Sequence, residues 1–201
     1  MDKKKAFICL KKAAQILDAH DIHYWLEAGT CLGAIRNKGF IDHDEDIDLG
    51  IFAEDCNTLD DILALYGSFL SNGFSIYHTF GKLDKGFEVA FMLEGVKIDI
   101  FWFYKKDDKR WHGAWKNGGR NGDSDLIKLV FDADLFTKND YAGNIKTENK
   151  LDRIDFLGLN LPVPSNTDKY LLARYGKDWM IKDERWCWAT SPKCIDNNFE
   201  I

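Results

Sequence analysis

EAGTCLGAIRNKGFIDHDEDIDLGIF, residues 27–52, joins three chemically different segments. A Gly29-Thr30 step closes a short apolar run, a basic turn follows at Arg36, Asn37, Lys38 and Gly39, and an acidic run then passes into an apolar strand. In that last segment Asp46, Asp48 and Gly50 alternate with Ile47, Leu49 and Ile51. Strand side chains alternate between faces, so the pattern predicts two aspartates on one face and three aliphatic residues buried on the other. Carboxylates at i and i+2 sit about 6.5–7 Å apart at Cα, close enough to converge on one cation. Two like charges about 5 Å apart repel by about 3 kcal/mol at an effective dielectric near 20, and by less than ~1 kcal/mol in bulk water. On a half-buried strand the pair therefore calls for a cation, a shared proton or both. A frayed solvent loop would need neither, but burial of the Ile-Leu-Ile face fixes the register and argues against a loop.

Upstream of this stretch, residues 3–20 place Phe7, Leu10, Ala13, Ala14 and Leu17 on one helical stripe, with lysines opposite. Ile22 to Ala28 reads as a strand, and Thr30 to Ile35 as one or two helical turns with Thr30 as the expected N-cap. Gly29 lets a ligand approach the backbone, and the helix start offers N–H groups to a phosphate. Arg36 and Lys38 would add cations there; an ordinary basic turn is the alternative reading of both. Downstream, Asp55 to Leu70 is a second amphipathic helix ending near Asn72-Gly73. Phe74 to Phe80 reads as a strand, and Phe87 to Leu93 with Val96 to Tyr104 as a hairpin around Glu94-Gly95. Asp99 lies in the apolar run FEVAFMLEGVKIDIFWFY, where burial is costly without a partner. Two readings are open to it: a salt bridge to Lys97 or a nearby lysine, or sheet pairing that makes it a third carboxylate beside Asp46 and Asp48.

Lys105 to Arg110 reads as a charged turn and Trp111 to Asp125 as a mobile Gly/Asn-rich loop. Residues 126–161 suggest short strands, notably Arg153 to Phe156. Pro162 to Asn166 breaks the chain, and Thr167 to Tyr175 forms a short helix ended by Gly176. The tail RWCWATSPKC serves either as packing or as a wall of a substrate pocket. His20, His23, His78 and His112 show no metal-ligand spacing, and His43 either orients a carboxylate or faces solvent. No phosphate-binding loop, dinucleotide fingerprint or hydrolase nucleophile elbow occurs.

The chain of 201 residues, 45% apolar and 14% aromatic, can bury a sizeable core and suits one domain over 1–201. A net charge of −6 gives no basic footprint, so no nucleic acid polymer is expected as partner. Asp-x-Asp also occurs at Asp123/Asp125 and Asp132/Asp134, so a lone pair is a weak signal. Five cysteines without a C-x-x-C step read as free thiols in a reducing compartment; a Cys187–Cys194 bridge or a zinc site is the alternative. With no secretion signal and no integral membrane segment legible, a cytoplasmic location is expected.

With Gly29-Thr30, the basic turn and Asp46-Ile47-Asp48 assembled, residues 27–52 resemble the signature of the LicD family, which includes the fukutin-type proteins, within the polymerase-β-like nucleotidyltransferase superfamily. The resemblance rests on Gly29, Thr30, Leu32, Gly33, Ala34, Arg36, Lys38, Gly39, Phe40, Asp44, Asp46, Asp48 and Gly50. VKIDIFWFY is similar to the strand carrying the superfamily's third carboxylate, and LPVPSNTDKYLLARYGKDWM to the family's C-terminal segment. It implies an α+β fold with a nucleotidyltransferase-type mixed sheet flanked by helices and a small C-terminal helical, aromatic segment. The core would span about 1–110 and a substrate-pocket segment about 126–201. It further implies Asp46, Asp48 and Asp99 as catalytic residues holding Mg²⁺ or Mn²⁺, and Gly29, Thr30, Arg36 and Lys38 as donor-binding residues. The implied reaction moves a phosphorylated alcohol, such as phosphocholine or ribitol phosphate, from a CDP-activated donor to a hydroxyl of a glycan or lipid-linked sugar. Glu45 and His43 depart from the family's lead-in to the acids, and the fukutin-type membrane anchor is absent from the sequence, which points to a soluble enzyme.

Three rival readings remain at this level. The first keeps the fold but attacks the α-phosphate of an NTP, leaving nucleotide on an antibiotic or other small hydroxyl compound. A calcium-binding loop starting at Asp44 would place Leu49 where glycine is required and Asp55 where glutamate is, so it fits poorly. An inactive scaffold is disfavoured by the presence of all three carboxylates. Specificity is expected in Trp111 to Tyr141 and the tail.

Overall fold

The computed structural model describes residues 1–136, 151–183 and 185–201, plus the backbone of 138–139 and 146–147. The first helix, α1 (Lys3–Ala19), opens on Asp2, whose carboxylate accepts from Lys4 N and Lys5 N at 2.9 and 3.2 Å. It buries Ala6, Leu10, Ala13, Ala14 and Leu17, the stripe expected from the sequence apart from Phe7, which is only partly covered. Strand β1 (Tyr24–Leu26) leads into the short α2 (Ala28–Leu32), a π-helical turn (Gly33–Asn37), and strand β2 (Asp46–Phe52). Helix α3 (Leu59–Ser71) starts on a capping box, in which Thr58 Oγ1 accepts from Asp61 N and the Asp61 carboxylate accepts from Thr58 N. Then come β3 (Ser75–Lys82), β4 (Lys85–Leu93), β5 (Val96–Lys106), β6 (Lys109–Trp115) and β7 (Leu126–Asp132). Two short strands, β8 (Lys138–Asn139) and β9 (Lys146–Thr147), pair with each other, as do β10 (Asp152–Phe156) and β11 (Leu159–Val163). Helix α4 (Thr167–Tyr175) follows.

Seven strands form one mixed sheet in the order β1-β2-β5-β4-β3, extended by β6 and β7, which join the far end of β5. Only β2 and β5 run parallel, with Asp46 opposite Lys97 and Asp48 opposite Asp99. The α+β sheet flanked by helices that the family resemblance implies is therefore present. One face of its centre carries Ile47, Ile98 and Phe91 in a row and packs under α3, where Phe69 stacks on Phe91 with centroids 4.0 Å apart. The other face carries Asp46 and Asp48 on β2 and Lys97 and Asp99 on β5. Gly50 lies on that acid-bearing face because Trp25 crosses it: a Cβ at Gly50 would stand 2.4 Å from the indole. Phe52, Phe103 and Phe136 close around the same indole, so the far end of this face is sealed by aromatic rings.

Three expectations are corrected. Thr30 is not an N-cap: α2 begins two residues earlier, after Glu27, and Thr30 is buried inside it. The charged turn is shorter than Lys105 to Arg110, because β5 runs to Lys106 and β6 starts at Lys109. Arg110 is buried, bonds the Glu54 carboxylate at 3.0 and 3.1 Å, and lies over the Phe52 ring. Nor is Trp111 to Asp125 a loop throughout. Its first five residues belong to β6, whose Gly113 meets Gly86 so closely that a Cβ would stand 2.7 Å from the facing Cα. The remaining residues form 3-10 turns in which the Asp125 carboxylate accepts from Asn117 and Asn121. The expected specificity stretch is described only as far as Phe136, since 137 and 140–145 lie outside the described residues. Among the described residues no helix is long and apolar enough to cross a membrane.

Candidate active site

The parallel pairing of β2 and β5 puts Asp48 directly beside Asp99, and Asp46 lies one step further along the same face. Ligand oxygens of Asp46, Asp48 and Asp99 all fall within 4.8 Å of one another. Both readings of Asp99 hold at once: it belongs to the carboxylate cluster and it is salt-bridged. Lys97 Nζ sits 2.9 Å from Asp46 Oδ2 and 2.8 Å from Asp99 Oδ2, tying two of the acids together. Asp99 Oδ1, by contrast, is buried with no partner among the described residues. Asp44 joins as a fourth acid, its carboxyl pushed up to about 7 by burial and by Asp46. Burial, and then the charges of Asp46, Asp44 and Asp99, push Asp48 well above the usual carboxylate range. Asp99 is raised to about 6, mainly by burial and against the pull of Lys97.

Gly29 and Thr30 act on Asp48 here. Gly29 N donates to Asp48 Oδ2 at 3.2 Å, and Asp48 N donates to Thr30 Oγ1 at 2.9 Å, so the helix start grips this aspartate at backbone and side chain. A Cβ at 29 would stand 2.6 Å from Asp44 Oδ2, so any larger residue there would push the Asp44 carboxylate aside. Beside Gly29 and Asp44 opens a cavity of about 630 Å³, within the range of small-molecule sites. Arg36 lines it and donates to Trp179 O at 3.3 Å; Lys38 is exposed, in a left-handed conformation, and is not among the lining residues. His43 is exposed at the cavity margin. The opposite wall is Tyr175 at the end of α4 and the chain after it, including Lys177, Trp179, Trp186 and Lys193. Of the two readings of the tail, the pocket wall holds for Arg185, Trp186, Ser191 and Lys193, while Cys194 is buried.

A buried polar cluster that the sequence reading missed supports this wall. Glu27, fully buried, accepts from Trp25 Nε1 at 2.7 Å, from the Tyr170 hydroxyl, and from Arg174 Nη1 at 2.6 Å. Ala28 N donates to the same hydroxyl at 3.1 Å, and Ala28 takes φ 42°, a strained value for a non-glycine residue. His112 is held neutral by burial and by Arg174; its Nδ1–H donates to Gly113 O, leaving Nε2 to accept from Arg174 at 3.4 Å. Through these contacts α4 fixes Glu27 and the Glu27–Ala28 peptide, at the start of the helix that carries Gly29. The available signal was the acid of Glu27 in an apolar strand together with the arginine of YLLARYG, two buried charges that each need the other.

The acids fit a hard divalent cation. The donors are carboxylate oxygens, one of them is a buried orphan, and Asp48 is pushed up by its acidic neighbours even with Lys97 bridging Asp46 and Asp99. Stability of the metal-free protein should show this. A carboxyl raised in the folded state retains its proton there after the unfolded chain has lost it, so folding stability falls as pH rises through the window up to the raised value. With Asp44 near 7, Asp99 near 6 and Asp48 well raised, that window reaches at least neutral pH. Cation binding requires the deprotonated forms. The rise in melting temperature given by Mg²⁺ is therefore expected to be larger at pH 8 than at pH 6, as read by differential scanning calorimetry. A pH-independent increment would contradict the assignment.

A mixed sheet with acids on neighbouring strands beside a glycine-led helix start defines a nucleotidyltransferase-type domain. The chain belongs to the LicD/FKTN/FKRP family, matching the family's nucleotidyltransferase domain over residues 21–166. It is 34% identical over 197 residues to ribitol-5-phosphate transferase FKTN of Mus musculus, covering 98% of this chain and 38% of that protein. The Homo sapiens FKTN is 33% identical over the same share. A 40-residue stretch, 20% of this chain and 8% of the relative, is 50% identical to ribitol 5-phosphate transferase FKRP of Homo sapiens. The chain thus spans less than half the length of these curated relatives. Among solved structures, the antibiotic-resistance factor ANT(2'')-Ia superposes with a TM-score of 0.44 at 13% identity, over 85% of this chain and 72% of that one.

Proposed function

We propose that this domain is a metal-dependent transferase that moves a phosphorylated alcohol, of the ribitol-phosphate or phosphocholine kind, from a CDP-activated donor to a hydroxyl of a glycan or lipid-linked sugar. The observation that carries the reading is the convergence of Asp46, Asp48 and Asp99 within 4.8 Å beside a cavity walled by cations and aromatic rings. The likeness to ribitol-5-phosphate transferases over 98% of the chain supports the transferred group.

Phosphoryl-group transfer asks the protein chiefly for in-line positioning and charge stabilisation. Asp46, Asp48 and Asp99 would hold Mg²⁺ or Mn²⁺, which supplies positive charge to the diphosphate and to the departing CMP. Gly29 N–H and Thr30 Oγ1 keep the Asp48 carboxylate aimed into the cluster. Arg36, Lys177 and Lys193 bring further positive charge to the cavity, suited to a diphosphate. Trp179 and Trp186 offer flat surfaces for a base or sugar ring. Asp99, raised to about 6 mainly by burial, stands beside Asp48 in the cluster and is the group proposed to take the acceptor's proton.

Products separate this reaction from nucleotidyl transfer on the same fold. With CDP-ribitol or CDP-choline, a glycan acceptor and Mg²⁺, CMP is expected to appear in step with acceptor gaining the phosphorylated alcohol, as read by mass spectrometry. Release of pyrophosphate from an NTP, with nucleotide left on the acceptor, would replace this reading by its rival.

A further inference from the structure

On the other side of Asp99 from Asp48, two more ligand-type side chains close in. Ligand atoms of His78 on β3, Glu88 on β4 and Asp99 on β5 lie within 4.8 Å of one another. The register explains the meeting: His78 stands opposite Ala90, and Ala90 opposite Asp99, so the three share one row and one face. Ala90 carries only a methyl group between the imidazole and the carboxylate. Glu88, two residues before Ala90, points to the same face.

His78 reaches this face through a β-bulge. Ile76 pairs with Phe91 and His78 with Ala90, so Tyr77 is an inserted residue. Regular pairing would have set His78 opposite Val89, on the face packed under α3. Bulges of this kind re-aim side chains beside functional sites. A simple His–Glu hydrogen bond does not account for the group, because His78 Nε2 is 3.4 Å from Glu88 Oε1, beyond the usual length. It also leaves Asp99 Oδ1 buried and without a partner among the described residues, since Lys97 uses only Oδ2. A cation held by all three side chains answers both points. His78, 22% exposed at its side chain, gives it a route from solvent.

We infer that His78, Glu88 and Asp99 form a second cation site, for a divalent transition metal of the Zn²⁺ or Mn²⁺ class, which shares Asp99 with the Asp46–Asp48 cluster. One imidazole with two carboxylates suits these ions, whereas Mg²⁺ favours an all-oxygen octahedral shell. The site is built from protein side chains alone, so it stands whether or not the transferase reading does.

The test is Zn²⁺ titration of the full metal-free chain by calorimetry, with bound zinc counted by elemental analysis after gel filtration. Wild type is expected to hold two equivalents. His78→Ala should lose one of them, its affinity there falling at least about tenfold, and Asp48→Asn should lose the other. Circular dichroism checks that each variant is folded; if His78→Ala is not, Glu88→Gln takes its place. Unchanged zinc stoichiometry in folded His78→Ala or Glu88→Gln would overturn the proposal. So would a wild-type protein binding no zinc, or a single equivalent that Asp48→Asn abolishes. Intact two-site binding without any CMP release would instead remove the proposed function and leave this site standing.

Discussion

Asp48→Asn is expected to slow CMP release at least about 10²–10³-fold while raising the melting temperature of the metal-free protein. The two effects have one cause. Asp48 is pushed up by burial and by three neighbouring carboxylates, so in the absence of a cation its ionisation costs folding stability at neutral pH. Asparagine keeps an oxygen able to accept from Gly29 N–H, and its backbone N–H still reaches Thr30 Oγ1, so the local geometry survives. The charge that holds a divalent ion does not. Calorimetry and a CMP-release assay on the same preparation read both effects. Near-wild-type turnover, or a lower melting temperature in metal-free buffer, would contradict the account.

Arg174→Ala should have the largest effect on stability. Its guanidinium is buried and meets Glu27, which no solvent reaches. Breaking one partner of such a pair costs about 3–5 kcal/mol, or about 6–20 °C of melting temperature for a domain of this size. The loss should deepen as pH rises, because a Glu27 deprived of Arg174 is raised further and its ionisation then opposes folding. Replacing both residues by apolar ones of similar volume should recover much of the stability, since no buried charge is left unpaired. If the double variant is as unstable as the single one, the cluster contributes by packing and not by charge.

The strands that carry the site were legible because their patterns are local. Ile47, Leu49 and Ile51 are buried as their alternation requires, and the Glu94-Gly95 turn has both residues at positive φ, the geometry that a tight hairpin demands. Asp99 followed from the same logic: once β5 pairs with β2, its face is fixed. What stayed hidden depends on distant parts of the chain. Gly113 reads as a loop residue, yet it is a contact glycine where β6 crosses Gly86. Glu27 and Arg174 lie 147 positions apart, and neither alone announces a partner. His78 looks like an edge-strand histidine until the bulge at Tyr77 turns it to the acid face. Thr30, expected to cap a helix, lies inside α2 and accepts from the Asp48 backbone N–H, a contact 18 positions away that local pattern does not reveal.

The central claim is that acids from β2 and β5 gather a divalent ion at the edge of the donor cavity. Anomalous diffraction from crystals grown with Mn²⁺ and a non-hydrolysable CDP compound tests it most directly. A peak ligated by Asp46, Asp48 and Asp99, with diphosphate oxygens completing its shell, is the predicted result. Manganese absent from those three carboxylates while the nucleotide is bound would contradict it.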